Sequence, residues 1–290
     1  MSSGSVILVG FPDSGKTNYL ARLWESLRKK KGHLICPKPP DNVKYLEEIL
    51  GHLHQGAFAP RSDKVLEDLR KDVTLLVSRA GAAEVESTEV IVPDVSGELW
   101  KGAVAKLEIT QEWMDELKRS SGAMLFLRVQ SELNVTSVDW VTTRDLLRQH
   151  QAFALDPNAT PTQVILSELL RFLELTLIPQ PDGGLPRVAV VISAWDMLND
   201  EDSAKGPRAF LASEFPLFAG RLKGTSKLGL EVFGVSIVGG DFVEEEFKKK
   251  YLKGDPNAAG YVVVDKPSGA EKIVDISLPL AWLMDGKQTW

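Results

Sequence analysis

A single cysteine, Cys36, stands in 290 residues, so no disulfide can form within the chain and the framework of a small secreted domain is excluded. Long apolar runs are also absent. Nothing approaches the roughly 20 consecutive apolar residues that a membrane-spanning helix needs. The stretch from Val6 to Val9 is too short, and has no basic leader before it, to be a signal-peptide core. Nor is there an excess of positive charge: 34 Lys and Arg against 40 Asp and Glu give a net charge of −6, which removes a broadly basic nucleic-acid-binding surface. The expectation is a soluble, cytoplasmic protein with no membrane span and no nucleic-acid partner. What remains is an ordinary globular composition, 43% hydrophobic and 26% charged, in a chain long enough to bury a sizeable core.

The most informative segment comes first. An apolar, β-branched run ends at Val9. Gly10-Phe-Pro-Asp-Ser-Gly-Lys-Thr17 follows, and then a helical pattern with an apolar stripe at Leu20, Leu23, Trp24 and Leu27. Residues 10 to 17 satisfy G-x-x-x-x-G-K-[ST] in the strand, loop and helix context which that motif requires. Glycines at both ends let backbone N–H groups turn toward a dense anion at the positive end of the helix. Gly10, Asp13, Ser14, Gly15, Lys16, Thr17 and Asn18 are therefore the expected phosphate-binding residues. Lys16 would reach the β- and γ-phosphates, and the Thr17 hydroxyl would ligate Mg²⁺, which keeps most of its water and needs few protein ligands.

Three later segments narrow the class. Thr88 to Pro93 alternates toward a buried strand and leads into Asp94-Val-Ser-Gly97-Glu98, a D-x-x-G at a strand end. There Asp94 can hold Mg²⁺ through water and the Gly97 N–H can sense a γ-phosphate. Arg187 to Ile192 is an almost purely apolar strand, as expected of one buried on both faces of a parallel sheet, and runs into Ser193-Ala-Trp-Asp196. The Asp196 carboxylate can accept two hydrogen bonds from guanine N1–H and N2–H₂, an edge on which adenine offers no matching donors. A competing reading makes Asp196 a helix N-cap ahead of Met197 and Leu198. Leu230 to Ser236 is a further strand, and the loop from Ile237 to Gly240 can bring its backbone to the base, which adds Ser236 and Ile237 to the expected nucleotide contacts.

This order of motifs resembles a GTPase of the translation-factor and Ras-like class. The D-x-S-G-E and S-A-W-D forms, the long spacings and the closing Leu278-Pro-Leu-Ala-Trp-Leu283 resemble the bacterial double-GTPase (DO-GTPase) families. The resemblance implies GTP/GDP and Mg²⁺ as ligands, a three-layer α/β fold with a mostly parallel sheet, and a switch acting on a protein partner in a bacterial signalling or conflict system. Two departures stand out. The usual base motif carries a lysine where this chain has Ala194. In the family its stem packs on the base and its amine tethers the phosphate loop, and Trp195 is the candidate to replace it by stacking. Glu98 stands where Ras-like proteins have glutamine; a carboxylate can orient water but cannot donate to the γ-phosphoryl oxygens, so hydrolysis is expected to be slow.

For the mobile loop that senses the γ-phosphate, the resemblance points to residues 56 to 63, with Ser62 in the place of the usual metal-binding threonine and Arg61 as an arginine finger in cis. The chain as a whole, residues 1–290, is expected to be one domain. A helical insertion is expected at 130–186, with helices near Trp140 to Phe153 and Thr162 to Ile178, and a hairpin and helix extension at 241–290. Other outcomes are a nucleotide-loaded interaction module with negligible hydrolysis, or a P-loop ATPase or small-molecule kinase. A kinase would need basic lid residues such as Arg128, Arg144 and Arg148.

Overall fold

The computed structural model describes residues 4–30, 32–40, 43–59, 72–81, 88–93, 97–106, 108–135, 160–255 and 259–286. Its plan follows from strands that are apolar on both faces. In β1 (Gly4–Gly10), Val6 and Leu8 point to one side and Ile7 and Val9 to the other, and all four are buried. The same alternation runs through β5 (Ser120–Arg128) and β6 (Arg187–Ser193), and in β7 (Gly229–Ser236) Phe233 faces the first side and Val232 the second. A strand of this kind is stable only with cover on both faces, which means helices above and below.

Together with β2 (Leu34–Ile35), β3 (Asp72–Arg79), β4 (Thr88–Pro93), β8 (Tyr261–Lys266) and β9 (Gly269–Ile273), these strands form one sheet in the order β2-β3-β4-β1-β5-β6-β7-β8-β9. The central strands β4, β1, β5, β6 and β7 are parallel, and the pairs outside them are antiparallel. One face is covered by α1 (Lys16–Lys29), α2 (Val43–His54) and the final helix at Leu278–Asp285. The opposite face carries α3 (Gly97–Lys106), α4 (Gln111–Leu117) and α5 (Thr162–Thr176), with the short helices α6 (Asp200–Lys205), α7 (Pro207–Glu214) and α8 (Pro216–Gly224) toward the β7 end. This is the three-layer, mostly parallel architecture that the motif order implied.

The second predicted helix of the insertion is α5. It connects β5 to β6 and buries Leu166, Leu169, Leu170 and Leu173 against the sheet; the first, near residues 140 to 153, lies outside the described residues. The C-terminal part, where a hairpin and helix extension was expected at 241–290, holds both elements and joins them to the main body. After α9 (Glu245–Lys253), the hairpin β8–β9 pairs onto β7 and continues the central sheet. Val262, Val263 and Val264 are all buried, and three consecutive apolar residues in a strand can be covered on both sides only inside a layered sheet. Then α10, the final helix, packs Leu280, Trp282 and Leu283 into the same core as α1. Among the described residues, no helix is long and apolar enough to cross a membrane.

Candidate nucleotide-binding site

Because β1, β4, β5, β6 and β7 run parallel, their carboxyl ends share one edge of the sheet, where ligands of open α/β folds gather. Gly10 ends β1 there at φ 151°; a Cβ on it would stand 2.7 Å from the Phe126 carbonyl and 2.9 Å from Ser14 Oγ. Asp13 at the crest of the loop has φ 64°, and Gly15, the left-handed residue before α1, has φ 85° and no side-chain cap on the helix it precedes. The backbone thus coils tightly enough to make a concave row of N–H groups. Lys16 folds over it: its Nζ donates to the carbonyls of Gly10 at 2.8 Å and Phe11 at 2.9 Å and to Ser14 Oγ at 3.1 Å. The ammonium is thereby held at the mouth of the loop, where an incoming phosphate needs a cation. Thr17 follows in the first turn of α1, half-buried, where its hydroxyl fits the small share of ligands that Mg²⁺ takes from protein.

Asn18, expected among the nucleotide contacts, uses its Oδ1 to accept the Ala59 N–H at 3.1 Å, so it ties α1 to the segment leading toward residues 60 to 63. Arg61, Ser62 and Asp94 themselves lie outside the described residues, as do Arg144 and Arg148. Gly97 opens α3 and Glu98 lies in its first turn. Since β4 is parallel to β1, this turn follows a strand end on the phosphate-loop edge.

The base-reading segment turns away from its strand by a backbone kink. Ser193 ends β6, and its hydroxyl lies 2.8 Å from the Ser14 carbonyl and 3.2 Å from that of Leu127, binding three strand ends together. Ala194 then takes a left-handed conformation, φ 55° and ψ 40°, and the following residues form a single 3₁₀ turn. That turn gives two neighbouring side chains different surroundings.

Trp195 goes inward and is fully buried. Its ring packs edge-on to Phe210, and its Nε1 donates to Ser203 Oγ at 2.8 Å. A Cβ on Gly234 would lie 2.4 Å from the indole. The expectation that Trp195 stacks on a base is therefore corrected: it is a core residue, because the missing side chain at Gly234 leaves a slot that the indole fills. Asp196 is less deeply buried. The alternative in which it caps a helix is also overturned, since Asn199 caps α6 by accepting the Asp202 N–H at 2.8 Å.

Asp196 instead hydrogen-bonds the hydroxyl of Ser236, the buried last residue of β7. Burial raises the carboxyl above the ordinary aspartate range and Asp241 adds to this, while the Ser236 bond and the positive charge of Arg128 oppose it. Ser236 Oγ also accepts the Gly239 N–H at 2.8 Å, which shapes the loop after β7. The Ile237 carbonyl of that loop accepts from Arg22 Nε of α1 at 2.9 Å. Gly10, Lys16, Asp196, Ser236 and Ile237 thus belong to one connected edge of the sheet.

Three residues joined to this site were not among the expected nucleotide contacts. Ser193 holds the phosphate loop. Arg128, proposed for a kinase lid, is instead paired with Asp13 at 2.8 Å. Tyr261 of β8 stands opposite Ser236 in the sheet and hydrogen-bonds it; burial and then the charge of Asp196 push its phenol up to about 12. A polar residue closing an apolar strand is the only sequence signal for the first two, and the placement of Tyr261 depends on how the hairpin pairs. Away from this edge, His54 Nε2 lies 3.0 Å from Glu25, and Cys36 Sγ donates to the Lys38 carbonyl.

Among solved structures, the chain is similar to the signal recognition particle receptor SRb-GTP/SRX complex from Chaetomium thermophilum, with 15% identity, a TM-score of 0.38, and coverage of 87% of this chain and 98% of that one. A probable GTP-binding protein engB is similar at 14% identity and a TM-score of 0.32, over 86% and 99% of the two chains. No curated protein matches. A family model described as Double-GTPase 1 matches residues 7–283. On that match, which runs from β1 into the final helix, the chain belongs to the Double-GTPase 1 family.

Proposed function

We propose that the protein binds GTP with Mg²⁺ and hydrolyses it slowly to GDP and phosphate, as a cytoplasmic molecular switch whose nucleotide state is read by a protein partner in bacterial signalling or conflict. The observation that carries the guanine assignment is the Asp196 carboxylate, held beside Ser236 at the carboxyl edge of the sheet and free of any helix-capping duty. Two hydrogen bonds to a charged acceptor discriminate strongly, because adenine would leave the carboxylate unpaired. Membership of a GTPase family supports the same base.

In this proposal Lys16 and the backbone N–H groups of residues 13 to 17 neutralise the phosphates. Thr17 and Asp94 would hold Mg²⁺, with Ser62 joining when the preceding loop closes, and the ion when bound spreads the negative charge of the β- and γ-oxygens. The Gly97 N–H would bond the γ-phosphate and Glu98 would orient the attacking water as an acceptor. Arg61 would supply a positive charge to the transferring group. With Glu98 in place of an amide, turnover of about 10⁻⁴ to 10⁻² s⁻¹ is expected.

The test is calorimetric titration of GTP, GDP and ATP with Mg²⁺ into the wild type and Asp196→Asn, followed by phosphate release from the same samples. Guanine nucleotides should bind at least about tenfold more tightly than ATP, and the preference should vanish in the variant. Equal or tighter binding of ATP would overturn the guanine assignment. Absence of phosphate release would leave a nucleotide-loaded interaction module in place of a timer, and a phosphorylated small molecule would indicate a kinase.

A further inference from the structure

We infer that Arg128 does the work of the missing base-motif lysine: from the end of the neighbouring strand it ties the phosphate loop to the base-reading loop and sets the nucleoside between them. This rests on the guanine assignment above and adds to it a positioning residue from a strand that carries no motif.

A tether of this kind needs a cation, a rigid mount and reach to both loops. Arg128 is the last residue of β5, in register with Ser193 of β6, and its own carbonyl accepts from Asn134 Nδ2 at 3.2 Å, so its backbone is held from two sides. One guanidinium nitrogen donates to Asp13 Oδ1 at 2.8 Å, at the crest of the phosphate loop. On the other side, Arg128 pairs across the sheet with Ser193, from which the turn carrying Asp196 departs, and its charge acts favourably on Asp196. The guanidinium therefore grips the phosphate loop from a strand end that adjoins the turn proposed to read the base. At position 194, where a lysine would have come, the chain has Ala194 in a left-handed kink. Asp13 completes the exchange, since it supplies the carboxylate that an arginine arriving from β5 can grip with planar, directional donors. The Arg128 side chain is 33% exposed and that of Asp13 29%. An ion pair so open to water contributes little to folding, so its loss should appear in nucleotide binding and not in stability.

The experiment measures affinity for GDP and ADP with Mg²⁺, GDP dissociation by a fluorescent analogue, and the melting temperature without nucleotide. It compares the wild type, Arg128→Ala, Arg128→Lys, and Arg128→Ala combined with Ala194→Lys. Arg128→Ala should weaken GDP at least about tenfold, mainly through faster dissociation, with the melting temperature within about 2 °C of wild type. Arg128→Lys should keep most of the affinity. Ala194→Lys should restore most of what Arg128→Ala loses, because it returns a cation to the site from the other strand; a residue needed only for local structure would not be rescued this way. If the wild type prefers GDP and Arg128→Ala still binds it within about twofold, the inference about Arg128 is wrong and the guanine assignment stands. Loss of binding with a collapsed melting temperature and no rescue would likewise overturn it. A wild type without preference for GDP over ADP overturns the guanine assignment, and the role of Arg128 falls with it.

Discussion

At the residue scale, Asp196, the proposed base-reading group, is kept at a cost to folding. Burial raises its pKa above that of an unfolded aspartate, so the native state disfavours the ionised form. The sign follows: the penalty is present at neutral pH and is relieved as pH falls through the raised value, where the carboxyl takes up its proton. Asp196→Asn removes the charge and keeps the shape. Urea unfolding of the nucleotide-free proteins at pH 7 should therefore find the variant at least as stable as wild type, with the difference shrinking toward pH 4. Binding should move the opposite way, with wild-type affinity for GDP declining on acidification at a higher pH than an ordinary aspartate would produce. A variant that is clearly less stable at pH 7 would mean that the carboxylate has a structural role.

At the scale of elements, the short turn after β6 is oriented by the residue that it buries. Trp195 fills the slot over Gly234 and bonds Ser203, and its neighbour Asp196 consequently faces Ser236. Trp195→Ala should cost about 3–5 kcal/mol of stability, as expected for emptying a tryptophan-sized site in a core, and should weaken guanine nucleotides in whatever protein remains folded. Denaturant titration separates this from base stacking, which would lower affinity and leave the unfolding midpoint in place. The same scale explains the hairpin β8–β9. Its Val-Val-Val run has no amphipathic face, so it joins the sheet and brings Tyr261 beside Ser236. Asp275, buried after the hairpin, accepts from the N–H groups of His33 and Ser277, joining the start of β2 to the start of the last helix.

For the whole molecule, the proposed ligand bridges the ends of β1, β6 and β7, elements far apart in sequence that carry both cores. A ligand that binds only the folded chain stabilises it by mass action. At a hundredfold over its Kd, GDP with Mg²⁺ should add about 2.7 kcal/mol to the unfolding free energy. ADP at the same concentration, if bound tenfold more weakly, should add about 1.4 kcal/mol. Chemical denaturation with each nucleotide checks this, and equal stabilisation by the two would contradict a guanine-selective site.

The phosphate loop, the strand before it and the helix after it were legible in the sequence because each depends on local rules: glycine where the backbone turns left-handed, and periodicity where a face is buried. The apolar runs likewise marked β1, β4, β6 and β7, while the layered, mostly parallel sheet was implied by the resemblance of the motif order to a GTPase. Trp195 was misassigned because nothing in the residue type Ala194 announces a left-handed kink, and that kink decides which of two neighbours enters the core. Arg128, Ser193 and Tyr261 were passed over as site residues for a different reason. Their partners lie 115, 179 and 25 positions away in the chain, and they meet only because β5 stands between β1 and β6 and β8 stands next to β7. Backbone turns and burial patterns are short-range properties that the chain carries locally. Which strand ends lie side by side, and hence which cation faces which carboxylate, is decided by packing of the whole sheet.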